Sequence, residues 1–245
     1  MRTILSSRRI RAALVLVAAC GALGGPGLRP VARAERPPSL AERIVAGLEA
    51  TSVRENRLVE AFATNKTFTI LHEGKTHAHV LAALQFKAPD VKVFTVLESR
   101  GSDYIRTRVI NRMMTTEVEL ARDKSRARIA ISPDNYEFGS VREDGDAYVL
   151  ETLPRRRDEL LFKGLVWITK DGFHLKRIEG EPTRNPSFWI RRIRLVVEFE
   201  PVNGVWMEVR ARGRVTMRWL GEYQLQSECG PYRMLLTADA PASRF

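Results

Sequence analysis

The sequence predicts a mainly β protein with a smaller α component, built on one long, curved antiparallel sheet. Three observations carry that expectation. Between Ile190 and Glu228, apolar and charged residues alternate with a period of two, which sends them to opposite faces of strands. Strand-length runs are separated by Asp144-Gly145, Asp171-Gly172 and Asn203-Gly204, dipeptides suited to tight hairpin turns that need φ > 0. Helical periodicity is confined to residues 40–62 and 103–122. The 245 residues are 44% hydrophobic and 28% charged, which excludes wholesale disorder. Two cysteines exclude a disulfide-stapled mini-domain and a multi-cysteine zinc or iron–sulfur site.

The first element is an address rather than a helix of the fold. Residues 1–34 hold six arginines and no acidic residue. Arg8, Arg9 and Arg11 precede the apolar run Ala12–Ala19, and Ala32-Arg33-Ala34 supplies a small-residue cleavage pattern. Gly21, Gly24, Gly25, Pro26 and Pro30 would break a core helix there. An export signal over 1–34 and a linker over 35–39 are expected. Val17-Ala18-Ala19-Cys20-Gly21 also fits a lipoprotein signal with Cys20 acylated, and Ser7-Arg8-Arg9 loosely fits a twin-arginine signal. Removing 1–34 lowers the formal charge from +11 to +5, with 34 basic residues against 29 acidic. Most support for a nucleic-acid partner goes with it. No later apolar run reaches the roughly 18 residues of a spanning helix.

Ser39 and Glu42 form a capping box ahead of a helical stripe of Leu40, Ile44, Val45 and Leu48, and a second stretch carries Val53, Leu58, Val59 and Phe62. Lys66–Glu73, Thr76–Phe86 and Val91–Ser99 read as strands. Asp103–Arg122 returns to helix, with Ile105, Val109, Ile110, Met113, Met114 and Val118 on one side, and is a candidate lid. The remainder reads as hairpins: Tyr136–Val141 with Tyr148–Leu153, Leu161–Thr169 with Phe173–Gly180, and Trp189–Glu200 with Val205–Arg218. A domain over 40–234 and a flexible tail over 235–245 are expected.

The alternation defines a greasy and a wet face. Ile193, Leu195, Val197 and Phe199, then Val205, Met207, Val209 and Ala211, then Met217 and Trp219 fall on one side; Arg192, Arg194, Glu208, Arg210 and Arg212 fall on the other. A few short helices cannot cover some ten strands, so the apolar face must close on itself or bind something. The expected hydrophobic ligand-binding face is Ile193, Leu195, Val197, Phe199, Met207, Val209, Met217 and Trp219, under a lid presenting Val109 and Met113.

Arg177-Ile178-Glu179-Gly180-Glu181-Pro182 followed by Asn185-Pro186-Ser187-Phe188-Trp189 resembles the signature of the bacterial outer-membrane lipoprotein-sorting (LolA/LolB-like) superfamily; Gly164-Leu165-Val166-Trp167-Ile168 and Ser132-Pro133-Asp134-Asn135-Tyr136 fit the same pattern. The resemblance runs over about residues 40–234. It implies an unclosed antiparallel β-barrel of about eleven strands with helices as a lid over its mouth. It further implies no enzymatic activity, no cofactor, and acyl chains carried or sensed in the concave face. The expected partners are lipid or lipoprotein acyl chains, the envelope membrane surface and protein partners, met by a monomer in the periplasm or cell envelope. One departure stands out: such proteins often carry a proline two residues after the tryptophan matching Trp206, where this chain has Glu208. A strand without it keeps a ladder bond and is expected to run straighter.

Other chemistry finds little purchase. His72, His77 and His79 with Glu73 lack a clear metal-site pattern, so no metal is expected. Cys229 and Ser132 have no histidine in a recognisable motif, and neither a nucleophile elbow nor a glycine-rich phosphate loop occurs. Arg155-Arg156-Arg157 reads as a solvated loop, with contact to anionic headgroups as the alternative. Two functional readings follow: an envelope carrier or receptor for acyl chains, or a regulatory sensor of the same fold with a packed interior.

Overall fold

The computed structural model describes residues 37–237. The expected export segment 1–34 with Cys20, and residues 238–245 of the expected tail, lie outside the described residues. The chain begins at α1 (Leu40–Leu58), closed at its start by the capping box: Glu42 N–H donates to Ser39 Oγ at 3.2 Å, and Ser39 N–H donates to Glu42 Oε2. Strands β1 (Val59–His72), β2 (Lys75–Lys87) and β3 (Val91–Gly101) follow. The helical segment comprises α2 (Asp103–Ile105), a π-helical turn (Arg106–Ile110), α3 (Asn111–Leu120) and α4 (Asp123–Ile129). The second half is β4 (Tyr136–Asp144), β5 (Ala147–Pro154), β6 (Phe162–Thr169), β7 (Leu175–Pro182), β8 (Ile190–Val202), β9 (Val205–Met217), β10 (Gly221–Cys229) and β11 (Arg233–Leu236).

All eleven strands join one antiparallel sheet in the order β3-β2-β1-β10-β9-β8-β7-β6-β5-β4, with β11 beside the start of β1. β3 and β4 are its unpaired edges, so the barrel is unclosed. The β8–β9 hairpin turns on Asn203 (φ 51°) and Gly204 (φ 82°), the two positive-φ positions a type I′ turn requires. Small residues let neighbouring strands approach closely on part of the inner face. A row of register partners crosses Gly164, Gly180, Leu195, Gly213 and Leu225. A Cβ on Gly164 would lie 2.0 Å from the Glu179 carbonyl oxygen and 2.6 Å from Gly180 Cα, so the backbones approach there as only glycine permits.

Both helical segments lie on the inner face. Val197 on β8 shares a side with Ala211, Ser227, Phe68 and Val80 through successive register pairs. On that side α1 contributes Ile44, Val45 and Leu48 to a cluster with Leu150, Val166 and Ile178, while α3 contributes Met113 and Met114 to a second cluster with Phe68, Val80 and Leu225.

Several element boundaries correct the sequence expectation. The first helix ends at Leu58 and passes directly into β1, so Val59 and Phe62 are strand residues. The segment 103–122 is broken by the π-helical turn and followed by α4, which the apolar spacing did not signal. Leu235 and Leu236 belong to β11.

Candidate ligand-binding site beneath the lid

On β8 the alternation holds: Ile193, Leu195, Val197 and Phe199 are buried on the inner face. On β9 it breaks. Ala211 pairs with Val197 and Arg210 with Glu198, but the next pair is Phe199 with Glu208, which leaves Val209 as the extra residue of a β-bulge. Beyond the bulge the faces exchange. Trp206 and Glu208 take the inward places, and Met207 lies opposite the exposed Glu200. Val209 is therefore taken out of the expected apolar face, Met207 still borders the cavity under the lid although its register partner is Glu200, and β9 is not straighter for lacking a proline. Met217 is half-buried opposite Ile190. Trp219 is 67% exposed; it packs against Trp189 at 5.0 Å and Phe188 at 6.4 Å on the rim, outside the concavity. Of the lid residues, Met113 is buried and Val109 is half-buried against the same cluster.

The wet face lies where the alternation put it, save Glu208. Arg192, Arg194 and Arg212 border an outer groove of about 860 Å³. Arg192 Nε donates to Glu181 at 2.7 Å, and Arg210 donates to Glu228 at 3.1 Å and Glu198 at 3.2 Å. Of the arginine run, Arg155 and Arg156 are structural: Arg155 Nε donates to the Pro133 carbonyl at 2.7 Å and Arg156 Nη1 to Asn135 Oδ1 at 2.6 Å. The His72 and His77 rings meet edge-on at 5.3 Å. His79 Nδ1 lies 3.1 Å from Thr69 Oγ1, and His72 stacks on Tyr223 with centroids 4.2 Å apart. Among the described residues no cluster of His, Cys, Asp and Glu could hold a metal.

Under the lid lies an interior cavity of about 150 Å³. Its walls are apolar: Phe62 and Phe86, stacked at 5.1 Å, with Leu84, Leu175, Phe199 and Trp206. Its polar end is a network that sequence reasoning missed. Lys66 Nζ on β1 donates to Glu117 on α3 at 3.1 Å and to Glu208 on β9 at 2.8 Å; Lys92 Nζ on β3 donates to the other oxygen of Glu117 at 2.8 Å. The side chains of Lys66 and Glu117 are 4% and 2% exposed. Burial pulls the Lys66 ammonium down, but Glu117 and Glu208 outweigh it and raise it. Burial pushes the Glu117 carboxyl up, and Lys66 and Lys92 outweigh that and lower it to about 2. The Lys66 ammonium and the Glu117 carboxylate thus both favour their charged forms beneath the lid. Nearby, burial pushes the Cys229 thiol up to about 11, so it is held as the unreactive thiol.

A second tie anchors α1. Glu55 Oε1 accepts the Trp206 N–H at 3.1 Å and lies 2.8 Å from His174 Nδ1, while the His174 ring stacks on Trp206 at 5.4 Å. The inward turn of Trp206 caused by the bulge makes this contact available.

The sheet and its helices define the molecule as a helix-lidded, unclosed antiparallel sheet. No family model matches the chain, and no curated protein matches it. Among solved structures it is similar to a LolA superfamily protein from Nitrosomonas europaea, at 11% identity, over 84% of this chain and 99% of that one, with a TM-score of 0.38. A putative outer membrane lipoprotein-sorting protein domain from Vibrio parahaemolyticus is 11% identical over 79% of this chain and 90% of that one, with a TM-score of 0.41. A DUF1329 family protein from Desulfovibrio piger is 15% identical over 78% and 92%, with a TM-score of 0.40. The fold itself rests on the register of the eleven strands. No helix among the described residues is long and apolar enough to cross a membrane.

Proposed function

We propose that the protein is an exported, non-enzymatic carrier or receptor of the cell envelope that holds a lipid or lipoprotein acyl chain between the inner sheet face and the lid. The observation that carries this reading is the position of α3. Met113 meets Leu195, Val197, Phe68 and Leu225 around a residual void of only about 20 Å³, so the lid occupies the surface an acyl chain would need. A π-helical turn at the base of α3 supplies the kind of local irregularity at which a helix can hinge. Each methylene moved from water onto such a surface gains about 0.8 kcal/mol, so affinity needs no hydrogen-bond readout. The 150 Å³ cavity is smaller than the ~300 Å³ at which small-molecule sites begin, so a chain enters only as the lid leaves. The same filled interior favours the second reading, a sensor of partner proteins that transports no cargo.

The test is displacement of a fluorescent fatty acid. Val197→Asp places a carboxylate in the middle of the inner face, and Phe62→Asn, at a half-buried position on the cavity wall, serves where Val197→Asp does not fold. Loss of probe binding by the folded variants is expected. Binding equal to wild type in both would remove the inner face as the cargo site.

A further inference from the structure

We infer that Lys66 and Lys92 form a subsite for the carboxylate of a long-chain fatty acid, which takes the place of Glu117 when the lid lifts. The inference rests on the acyl-chain reading and names the head of the ligand. Three of the four charged groups are fixed to the sheet: Lys66 on β1, Lys92 on β3 and Glu208 on β9. Only Glu117 belongs to the lid. With the lid closed, two ammonium groups face two carboxylates and the site is neutral. Withdrawal of α3 takes one carboxylate away and leaves two ammonium groups with Glu208 alone. When an acyl chain fills the space the lid has left, these ammonium groups stay out of water, and a buried cation without its counter-charge is strongly disfavoured, so the loaded site calls for one negative charge.

The chemistry of the replacement is set by what leaves. Glu117 presents a carboxylate whose two oxygens each accept from a different lysine, at 3.1 Å and 2.8 Å. A fatty-acid carboxylate offers the same pair of oxygens on the same planar group. Its chain then has an apolar path, because Phe62, Leu84, Phe86 and Phe199 border the cavity that touches Lys66, Lys92 and Glu117. Lid and ligand therefore compete twice, with Met113 against the chain and Glu117 against the head. A neutral head of the same length competes only once.

The experiment compares a long-chain fatty acid with its methyl ester as displacers of a fluorescent acyl probe from the full chain. Wild type is expected to bind the acid at least tenfold more tightly than the ester. Glu117→Gln removes the competing carboxylate and should tighten acid binding further. Lys92→Met should abolish the preference for acid over ester, read as the ratio of the two affinities because loss of the Lys92–Glu117 bond loosens the lid for both; Lys66→Met should do the same where circular dichroism shows it folded. Equal binding of acid and ester by wild type, or an acid preference that survives in Lys92→Met, would overturn the subsite and leave the carrier reading standing. Binding of neither displacer would overturn the carrier reading, and the subsite with it.

Discussion

At Glu117 one carboxylate holds two lysines of the sheet to a helix of the lid, and its protonation alters both contacts at once. Its carboxyl lies at about 2 in the folded protein, below the ordinary glutamate value near 4.3. A group lowered on folding stabilises the folded state fully above its unfolded pKa, and that gain is lost as pH falls through the folded value. Lys66 is raised, so its contribution is complete below the ordinary lysine value near 10.4 and disappears only in strong alkali. The urea midpoint should therefore be level from about pH 5 to 9 and fall between about pH 4.5 and 2. Glu117→Gln should cost about 3–5 kcal/mol at neutral pH, because Lys92 then loses its carboxylate and Lys66 keeps only Glu208. It should also flatten the acid limb, leaving the slope contributed by groups such as Glu181, which Arg192 and Arg194 lower. A variant that kept the whole acid slope would show that the network is not its source.

Among the elements, β8 and β9 show what the sequence can and cannot carry. β8 reads correctly from alternation because its inward residues, Ile193 to Phe199, run without a break. β9 does not, since one inserted residue at Val209 exchanges the faces of everything before it, and a period-two pattern has no mark for an insertion. The apolar pair Met207 and Val209 imitates a continuous face, while Glu208, read as solvated, is half-buried against Lys66. The polar end of the site was hidden for the same reason: Lys66, Lys92, Glu117 and Glu208 are far apart in sequence and meet only through the register of the sheet. The first helix was read too long because α1 passes into β1 through Val59, with no glycine or proline to mark the end. The Asn203–Gly204 turn was legible, since its φ > 0 requirement is local, whereas the other two turns lie one residue further on than read, at Gly145–Asp146 and Gly172–Phe173. The close approach of β6 and β7 was not legible, because it depends on where Gly164 and Gly180 meet across strands. Gly164→Ala should cost about 3 kcal/mol, the upper part of the range for overpacking, because its Cβ would strike backbone atoms that cannot yield. Gly145→Ala, at a positive-φ turn with open space around it, should cost only about 1–2 kcal/mol. Equal urea midpoints for the two variants would argue against a close backbone approach at Gly164.

For the whole molecule the question is whether the lid is a competitor or a permanent part of the core. The structure shows the closed form, with α3 filling the inner face and the remaining cavity at about 150 Å³. If closed and open forms interconvert, the apparent affinity for an acyl chain equals the intrinsic affinity reduced by the open fraction. Whatever weakens the lid without touching the sheet must then strengthen binding. Met113 is the residue for this test: it is 3% exposed, belongs to α3, and meets Leu195 and Val197 only when the lid is down. Truncating a buried methionine costs about 2–5 kcal/mol, and each 1.4 kcal/mol shifts an equilibrium tenfold. Met113→Ala should lose stability and yet bind the fluorescent acyl probe at least tenfold more tightly, up to the point where the open form dominates. A carrier couples these two effects with opposite signs. In a sensor with a permanent core the cavity left by Met113 only destabilises, so the variant would unfold more easily while its probe binding stayed as weak as that of wild type. Urea unfolding and probe titration on the same preparation separate the two cases, because only a displaceable lid turns lost stability into gained affinity.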